Sequence, residues 1–258
     1  MRLTFLGTGT SFGVPQVGCA CAVCRSTDPR DRRFRSAALV EDASRTILID
    51  TPPELRLQLL AARPASIDAV LYTHEHADHV AAIDDLRIFS VKARRAVPVY
   101  GPVETLERLR TSYRYIFDDA VQPPEGTSKP RLTLTPLEAG VPVTIAGMPV
   151  LPLAFPHGDL RVFGYRIGRL AYVTDVERVD PVAIARLRGV EVLVLSALWW
   201  RPHPTHQSIG DAIEAAQAIG APRTYLTHLT HETGHADLLA RLPAGIEPAW
   251  DGLVVDVR

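Results

Sequence analysis

The segment Thr73-His74-Glu75-His76-Ala77-Asp78-His79 directly follows the apolar run Ala69-Val70-Leu71-Tyr72. A short apolar run of this kind, bounded by polar residues, predicts a buried strand. The segment after it holds four side chains that can bind a metal ion, three imidazoles and one carboxylate, within six positions. Imidazole and carboxylate are both ligands of divalent metals in proteins. The spacing therefore predicts a metal-binding loop at the end of a strand.

The size and composition of the chain are those of an ordinary globular protein. Its 258 residues are enough to bury a substantial core, in one large domain or two smaller ones. Hydrophobic residues make up 47% and charged residues 22% of the chain, which is typical of globular domains. The net charge of −1 argues against a broad basic face for nucleic acid, because affinity for phosphates is mostly electrostatic.

The sequence also predicts where the protein is found. No apolar run approaches the about 20 residues that a membrane span needs. The chain begins with a single Arg2 before the strand-like residues 3–6, which does not fit a signal peptide. We therefore expect a cytoplasmic protein with no membrane contact.

The predicted elements alternate between groups of strands and groups of helices. Strands are expected at residues 3–6, 37–40, 46–50, 69–72, 97–100, 132–134, 143–145, 149–155, 162–167, 170–174, 192–195, 224–227 and 253–257. Helices are expected at residues 54–62, 80–89, 103–115, 179–187, 209–219 and 236–240. In the second of these helices Ile83, Leu86 and Ile88 should face the core. Residues 118–129 read as a surface loop, and the order suggests two packed mixed sheets.

Three further residues that can bind a metal stand where predicted strands end. His157 follows residues 149–155, Asp175 follows residues 170–174, and His228 follows residues 224–227. Loops at strand ends are held by a rigid scaffold and can direct their side chains into a common cleft. We therefore expect these residues to join the cluster at residues 74–79.

The order of these residues, His-x-His-x-Asp-His and then a lone His, a lone Asp and a last His, resembles that of metallo-β-lactamase-fold hydrolases. The resemblance implies an α/β fold of the αββα type, a sandwich of two mixed sheets with helices outside, in a single domain over residues 1–258. It also implies a dinuclear metal site. One ion would be held by His74, His76 and His157, the other by Asp78, His79 and His228, with Asp175 bridging them.

The ligand types point to zinc or manganese, because imidazole suits zinc and carboxylate also suits manganese. Two such ions, about 3.5–4 Å apart, would share a hydroxide as the nucleophile at neutral pH. Asp78 is thus both a ligand and a candidate catalytic residue. Two dications less Asp78, Asp175 and hydroxide leave a charge of about +1, which favours an anionic substrate such as a phosphodiester. For Asp50 the resemblance suggests a role in orienting a ligand histidine, and the alternative is an ordinary polar strand end.

All three cysteines lie in one short segment, Cys19-Ala20-Cys21-Ala22-Val23-Cys24. An odd, clustered set in a cytoplasmic protein is a poor disulfide framework and a good metal site. A closed structural zinc site needs four ligands, and His231 is the expected fourth. His235 and His203 are the competing candidates, and three reduced thiols without a metal are the other alternative.

The stretch Leu6-Gly7-Thr8-Gly9-Thr10-Ser11-Phe12-Gly13-Val14-Pro15 could be a nucleotide-binding loop, but a tight turn that needs positive φ fits better. Together with Gly18-Cys19-x-Cys21-x-x-Cys24, it resembles the phosphoribosyl 1,2-cyclic phosphate phosphodiesterase subfamily of the carbon–phosphorus lyase pathway. The similarity runs from about residue 3 to residue 251. It implies metal-dependent attack on a phosphodiester or a cyclic phosphate.

The alkoxide released by such a reaction needs a proton, and the segment at residues 203–208 offers a histidine as general acid. The resemblance places a histidine in this loop, and its distance from the following helix matches His206, with His203 left as the other candidate. Just upstream, Trp199-Trp200 replaces the more polar segment that the subfamily would have. This pair either stacks on a ring of the substrate or packs within the protein, so the identity of the substrate stays undecided.

Other activities occur on the same fold. Transfer RNA 3′-processing endoribonucleases share the glycine-rich start and the metal motif, but their basic loop is replaced here by the cysteines. A thioester or lactone hydrolase would use the same metals, and the pyrroloquinoline quinone biosynthesis protein B group raises a role other than hydrolysis. We expect the binding partner to be a small phosphorylated substrate, which could be nucleotide-like. We expect no strong interaction with nucleic acid. Whether the protein forms a homodimer stays open.

Overall fold

Two seven-stranded sheets lie face to face in the computed structural model, which describes residues 1–258. In chain order the strands are β1 (Arg2–Gly7), β2 (Ala37–Asp42), β3 (Arg45–Ile49), β4 (Ala69–Leu71), β5 (Val97–Gly101), β6 (Leu132–Pro136), β7 (Val143–Ile145), β8 (Met148–His157), β9 (Leu160–Ile167), β10 (Leu170–Val173), β11 (Val192–Ser196), β12 (Arg223–Thr227), β13 (Ile246–Pro248) and β14 (Val254–Asp256).

Each sheet has an antiparallel half and a parallel half. The first has the order β14-β1-β2-β3-β4-β5-β6, antiparallel from β14 to β3 and parallel from β3 to β6. The second has the order β13-β12-β11-β10-β9-β8-β7, parallel from β13 to β10 and antiparallel from β10 to β7. Parallel neighbours cannot be joined by a hairpin, so crossover segments, most of them helical, connect them.

The helices are α1 (Leu55–Ala62), α2 (Ala77–Val80), α3 (Arg87–Ala93), α4 (Val103–Ser112), α5 (Arg114–Phe117), α6 (Pro181–Leu187), α7 (Ile209–Ile219) and α8 (His235–Arg241). Short 3-10 turns lie at Pro29–Asp31 and Ile83–Leu86. Helix α7 has the predicted bounds because Ser208 and Asp211 form a capping box at its start and Gly220 ends it with φ 75°. None of these helices combines the length and the apolar character needed to cross a membrane.

Three hydrophobic clusters fill the spaces between four layers. The alternation along β2 shows the arrangement: Ala38 and Val40 face the second sheet, while Leu39 faces the helical layer with Leu55 of α1. On the far side, Leu193 of β11 packs with residues of α6 and α7. Both faces of each sheet are therefore covered. The predicted αββα sandwich of two mixed sheets is confirmed.

The helix predicted over residues 80–89 is not continuous, and this prediction was wrong. The chain forms α2, a 3-10 turn and α3 instead. The reason is tertiary: the carbonyl of His79 accepts from the amide of Thr51, and the amide of Ala82 donates to the carbonyl of Thr51. These two bonds take backbone groups that a continuous helix would pair internally. Consequently Ile88, expected in the core, is 49% exposed.

Two smaller differences have local causes. The helix predicted over residues 103–115 is divided into α4 and α5 at Tyr113, whose backbone leaves the helical region at φ −117° and ψ 46°. Strand β13 was not predicted, because it is three residues long and contains Pro248. Proline is tolerated there because β13 is an edge strand of the second sheet.

Candidate active site

The seven predicted active-site ligands converge where β4, β8, β10 and β12 end. Their donor atoms form overlapping groups whose members lie within 4.8 Å of one another. These groups are His74 with His76 and His157, His74 with His79 and Asp175, and Asp78 with His79 and His228. All are buried or half-buried except His76, which is exposed at the rim. The arrangement brings residues from positions 74 to 228 to one edge of the sandwich.

Three residues at this edge have left-handed backbones. Asp50 follows β3 with φ 62°, Asp175 follows Thr174 at the end of β10 with φ 59°, and His228 follows β12 with φ 59°. This conformation is rare and strained for residues other than glycine, and it recurs at functional sites. The strain is held by the two sheets. Each turn ends its strand abruptly, and those at Asp175 and His228 leave their side chains at the cleft.

Asp50 is not a member of the donor groups, but it holds His79, which belongs to two of them, and Thr73 beside them. Its carboxylate accepts hydrogen bonds from the amide and the hydroxyl of Thr73, both at 2.8 Å. The same carboxylate lies 2.7 Å from Nδ1 of His79, and both side chains are fully buried. With Nδ1 engaged in this way, His79 presents Nε2 to the cleft. A carboxylate bonded to the far nitrogen of an imidazole is the usual support of a metal-binding histidine.

The unpaired atoms of the site fit metal ions. Nε2 of His79 is buried and has no hydrogen-bond partner, and the same is true of both ring nitrogens of His228. Nε2 of His228 lies 2.9 Å from Oδ1 of Asp175 without hydrogen-bond geometry, and Nε2 of His79 lies 3.3 Å from Oδ2. Buried polar atoms without partners are costly and rare. Nitrogen and oxygen atoms that lie this close together without a hydrogen bond are suitably placed to share a cation.

The protonation of these residues also suits metal binding. Burial lowers the pKa of His74 well below its usual value and lowers the pKa of His157, so both imidazoles are neutral. Burial alone would raise the pKa of Asp175, but the neighbouring His228 and His79 hold it well below the usual range. Neutral imidazole and ionised carboxylate are the forms that bind a metal ion.

A cleft with a volume of about 560 Å³ opens beside these donors. It is lined by Ser11, His76, Asp78, His157, Gly158, Asp159, Leu160, Asp175, Pro204, Thr205, His206 and His228. Ser11 and Asp159 were not expected in the site. For Asp159 the available signal was its position two residues after His157, between two predicted strands. Ser11 gave no signal beyond its glycine-rich loop.

The two histidines considered as general acid lie in different places. His206 lines the cleft, with its ring centroid 4.9 Å from that of His228 and 4.7 Å from that of His157. Burial and the neighbouring His228 lower the pKa of His206 to about 3. His203 lies on an adjacent cavity, where its Nδ1 accepts from the amide of Thr205 at 3.3 Å. His206 also forms a donor group with His157 and Asp175, a metal-binding arrangement that the sequence did not suggest.

The loop that carries His206 is anchored by Gln207, which is buried. Its side-chain amide donates to the carbonyl of Ser196 at 2.6 Å, its backbone amide donates to the carbonyl of Val176, and its carbonyl accepts from the amide of Leu198. Val176 directly follows Asp175, so the loop is tied to the strand ends that carry the donors.

Neither tryptophan lines the cleft. The guanidinium of Arg201 lies 3.6 Å from the ring centroid of Trp199, and that of Arg241 lies 4.1 Å from the ring centroid of Trp200. Trp200 also packs against the hydrophobic cluster on the outer face of the second sheet. The pair is therefore engaged in packing, the second of the two interpretations of this sequence.

The cysteine segment lies beside the cleft and next to His231. Nδ1 of His231 is 3.4 Å from Sγ of Cys19 and 3.3 Å from Sγ of Cys21, and all four donors including Cys24 lie within 4.8 Å of one another. The amide of Cys24 and the imidazole of His231 lower the pKa of Cys21 to about 6, whereas burial raises that of Cys24 to about 11. Three sulfur atoms and one imidazole nitrogen this close together match the donor set of a closed four-ligand zinc site.

The competing fourth ligands are elsewhere. His235 contacts the ring of Trp250, with centroids 5.4 Å apart, and is not in the cysteine group. His203 lies on the cavity beside the cleft. The glycine-rich loop has a packing explanation: a side chain at Gly7 would collide with the carbonyl of Arg35, and Gly13 has φ 65°. The tight-turn interpretation therefore accounts for the loop.

Comparison with known proteins places this geometry in a family. A model of the β-lactamase superfamily domain matches residues 45–229. An octanoyltransferase of Porphyromonas gingivalis is 41% identical over 256 residues, which are 98% of this chain and 51% of that protein, so the chain spans about half the length of this relative. A coenzyme PQQ synthesis protein B of Methylobacterium nodulans is 30% identical over 224 residues, 75% of this chain and 72% of the relative.

Among solved structures, a diphosphatase from the PhnP family superposes with a TM-score of 0.90. It is 37% identical, and the match covers 99% of this chain and 97% of the other. The family predicted from residues 74–79 and their downstream partners is therefore confirmed. The chain belongs to the β-lactamase superfamily and has the metallo-β-lactamase fold.

Proposed function

We propose that this protein is a dinuclear metal-dependent phosphodiesterase that hydrolyses a small phosphorylated substrate. The observation that carries the proposal is the double donor set joined by Asp175, whose two carboxylate oxygens lie beside His79 and His228. The facing nitrogens of these histidines are buried without hydrogen-bond partners. A pair of divalent ions would satisfy all of these atoms together.

In this proposal His74, His76 and His157 would hold one ion and Asp78, His79 and His228 the other, with Asp175 available to both. When bound, such a pair activates water at neutral pH and neutralises negative charge on phosphoryl oxygens. The chain fixes the donors in place. Asp50 orients His79, and the carbonyl of Thr205 accepts from Nδ1 of His157 at 3.0 Å, which leaves the other nitrogen of His157 for the cleft.

The charge of the site supports an anionic substrate. Two dications are opposed by only two carboxylates in the proposed ligand set, Asp78 and Asp175. A phosphodiester carries one negative charge and would be attracted to the excess positive charge, whereas a neutral thioester or lactone would not. This argument favours phosphodiester hydrolysis over the thioester and lactone alternatives.

We assign the proton for the leaving alcohol to His206. Its ring stacks on His228 with an interplanar angle of 20°, and it lines the cleft at a half-buried position. A phosphodiester anion beside the ring would oppose the lowering of its pKa, because a negative charge favours protonated imidazole. His203, which lies outside the cleft lining, is not assigned this role.

The activity can be tested with bis(p-nitrophenyl) phosphate. Protein loaded with zinc or manganese should release p-nitrophenolate, and Asp175→Ala should abolish the release and lower the bound metal. Glu125→Gln, a change in an exposed loop far along the chain from the donors, serves as the control. If the loaded wild-type protein leaves the substrate intact, or if Asp175→Ala is as active as wild type, the proposal is wrong.

A separate experiment tests His206, because it could instead be a metal ligand. Under the general-acid assignment, His206→Ala retains both ions and loses about 10²–10⁴-fold in rate on substrates with alkyl leaving groups. The loss is much smaller with p-nitrophenolate, which leaves without protonation. If the variant loses metal and acts equally poorly on both kinds of substrate, His206 is a ligand and the acid lies elsewhere.

Cleavage of a diphosphate linkage is the second candidate. It is favoured by one observation, the 37% identity and TM-score of 0.90 to a diphosphatase from the PhnP family. A panel of cyclic phosphates, dinucleotides, diphosphate esters and precursor RNA compares both candidates with the endoribonuclease alternative. A rate on diphosphate esters far above that on any phosphodiester would establish the second candidate.

We further propose that Cys19, Cys21, Cys24 and His231 bind one structural zinc ion. The four donors converge within 4.8 Å and come from segments more than 200 residues apart. A hydrogen bond from the amide of Leu229 to the carbonyl of Thr8 also connects these two segments. The ion would therefore fix the amino-terminal loop beside His228.

A further inference from the structure

The cleft beside the donors contains no lysine or arginine. Its lining carries the donor residues, small or apolar residues, and one additional carboxylate, that of Asp159. Bound metal ions would therefore neutralise the charge of one phosphoryl group, but the cleft lining has no cationic side chain for a second one. Enzymes that bind a second phosphate usually provide arginine, lysine or a helix amino terminus for it.

Asp159 stands at a fixed place. It belongs to the two-residue turn between β8 and β9, where His157 and Leu160 are directly paired. Gly158 has φ 58°, and a side chain there would lie 3.0 Å from Cγ2 of Thr205, so the turn is packed against the loop that carries His206. The side chain of Asp159 is exposed and makes no hydrogen bond or ion pair within the protein, which leaves its charge facing the cleft.

No arginine near the turn forms an ion pair with Asp159. Arg161 is paired with Pro156 in the same hairpin. Neighbouring pairs project from opposite faces of a hairpin, so Arg161 lies on the face opposite to that of His157 and Leu160. Arg178 is paired with Glu177, and Arg201 is paired with Glu232 at 2.6 Å while it covers the ring of Trp199.

We propose that Asp159 is a specificity residue that selects phosphodiesters with hydroxyl or amine groups beside the reacting phosphate and rejects those with a second phosphate there. The inference rests on the proposed phosphodiesterase activity and names its substrate class. A carboxylate at this position repels a further phosphate and accepts hydrogen bonds from hydroxyl or ammonium groups. This role of Asp159 also favours phosphodiester hydrolysis over cleavage of a diphosphate linkage as the activity of the protein.

Two matched substrates test the proposal: the p-nitrophenyl ester of thymidine 5′-phosphate, and the same ester with an additional 3′-phosphate. Both release p-nitrophenolate from the same phosphodiester, and they differ only in the second phosphate. Metal-loaded wild type should prefer the first by about tenfold in kcat/KM, a preference that weakens as salt screens the repulsion. Asp159→Asn should remove most of the preference, and Asp159→Lys should reverse it.

The control variant Glu125→Gln removes an exposed carboxylate outside the cleft, and it should keep the wild-type ratio of kcat/KM for the two esters. Metal content and melting temperature of each variant are measured in parallel, so a folding defect cannot be mistaken for a change in selectivity. Equal rates of wild type on the two esters, or an unchanged ratio in both Asp159 variants, overturn the specificity assignment alone. If neither ester is cleaved, the phosphodiesterase proposal fails and the selectivity proposal fails with it.

Discussion

The Nδ1 atom of His79 lies 2.7 Å from Oδ2 of Asp50, and neither side chain is accessible to solvent. The same carboxylate also accepts from Thr73, the residue that connects β4 to the metal-binding segment. One buried group thus sets both the course of the chain into residues 74–79 and the orientation of an imidazole within it.

We expect Asp50→Asn to weaken metal binding by about 10–100-fold, the usual effect of removing the partner of a ligand histidine. The asparagine keeps the size of the side chain but can turn an N–H toward Nδ1 of His79, which removes the orienting bond. Metal affinity is measured by competition with a chelator. Asp42→Asn, on an exposed carboxylate at the end of β2, is the matched control. An unchanged affinity in Asp50→Asn would show that the orienting bond is dispensable.

Gln207 should act through His206 because its buried amide holds the loop to the carbonyl of Ser196. We expect Gln207→Met to reduce the rate on alkyl phosphodiesters more than the rate on p-nitrophenyl esters, with metal content unchanged. Leaving the buried carbonyl unpaired should also cost about 1–3 kcal/mol of stability.

The leaving-group ratio is the informative measurement, since general destabilisation lowers both rates together. Gln217→Met, at an exposed position of α7, provides the same chemical change without the buried bond. If Gln207→Met lowers both rates by the same factor, Gln207 supports the fold and not the position of His206.

Cys21→Ser should remove one metal ion per chain and lower the melting temperature. Loss of a cross-link of this kind, at about 2–4 kcal/mol, corresponds to a decrease of about 5–15 °C for a chain of this size. Metal is counted by elemental analysis and melting is followed by circular dichroism. His203→Asn should leave the ion in place, because His203 lies outside the cysteine group. Full metal content in Cys21→Ser would contradict the structural zinc.

Asp251 predicts a pH dependence of stability. Burial raises its pKa to about 6, although it accepts hydrogen bonds from Thr8 and from the amide of Phe34. Between the unfolded value of about 3.9 and the folded value, the folded protein binds more protons than the unfolded chain. The free energy of unfolding should therefore fall as pH rises through this window, by about 2–3 kcal/mol.

Asp251→Asn cannot titrate, so the difference in unfolding free energy between wild type and this variant isolates the effect. Urea unfolding at several pH values from 4 to 7.5 gives this difference directly. We expect wild type to lose stability relative to the variant up to about pH 6 and to stay level above it. A difference that is flat with pH, or that rises, would contradict the raised pKa.

Much of this protein follows from short-range sequence signals. Residues 74–79 place four donors within six positions, and His157, Asp175 and His228 each stand where an apolar strand ends. Helix α7 has its predicted bounds because Ser208, Asp211 and Gly220 supply its caps. These signals depend on spacing and on local backbone chemistry, so they can be read from one sequence. The αββα arrangement was implied by the resemblance of the ligand order to a known family.

Other features were decided by contacts between distant parts of the chain. Hydrogen bonds to Thr51 interrupt the helix expected after His79. Arg201 and Arg241 cover the tryptophans that could otherwise have met a substrate. Proximity to the thiols distinguishes His231 from His235, two residues of similar sequence position. Each of these outcomes depends on which groups the packed sheets bring together, which local patterns do not encode.

The sequence by itself therefore determined that a His- and Asp-rich centre lies at strand ends, because ligand spacing and strand periodicity are local properties. The αββα sandwich followed from the family resemblance and not from periodicity. Only the tertiary structure decided which residues support that centre and which residue stands at the mouth of its cleft. Asp50 beneath His79, Gln207 behind His206 and Asp159 at the mouth of the cleft owe their places to sheet pairing and loop packing. The contact of Asp50 with His79 spans 29 residues of the chain and that of Gln207 with Ser196 spans 11, and both form only when the chain folds.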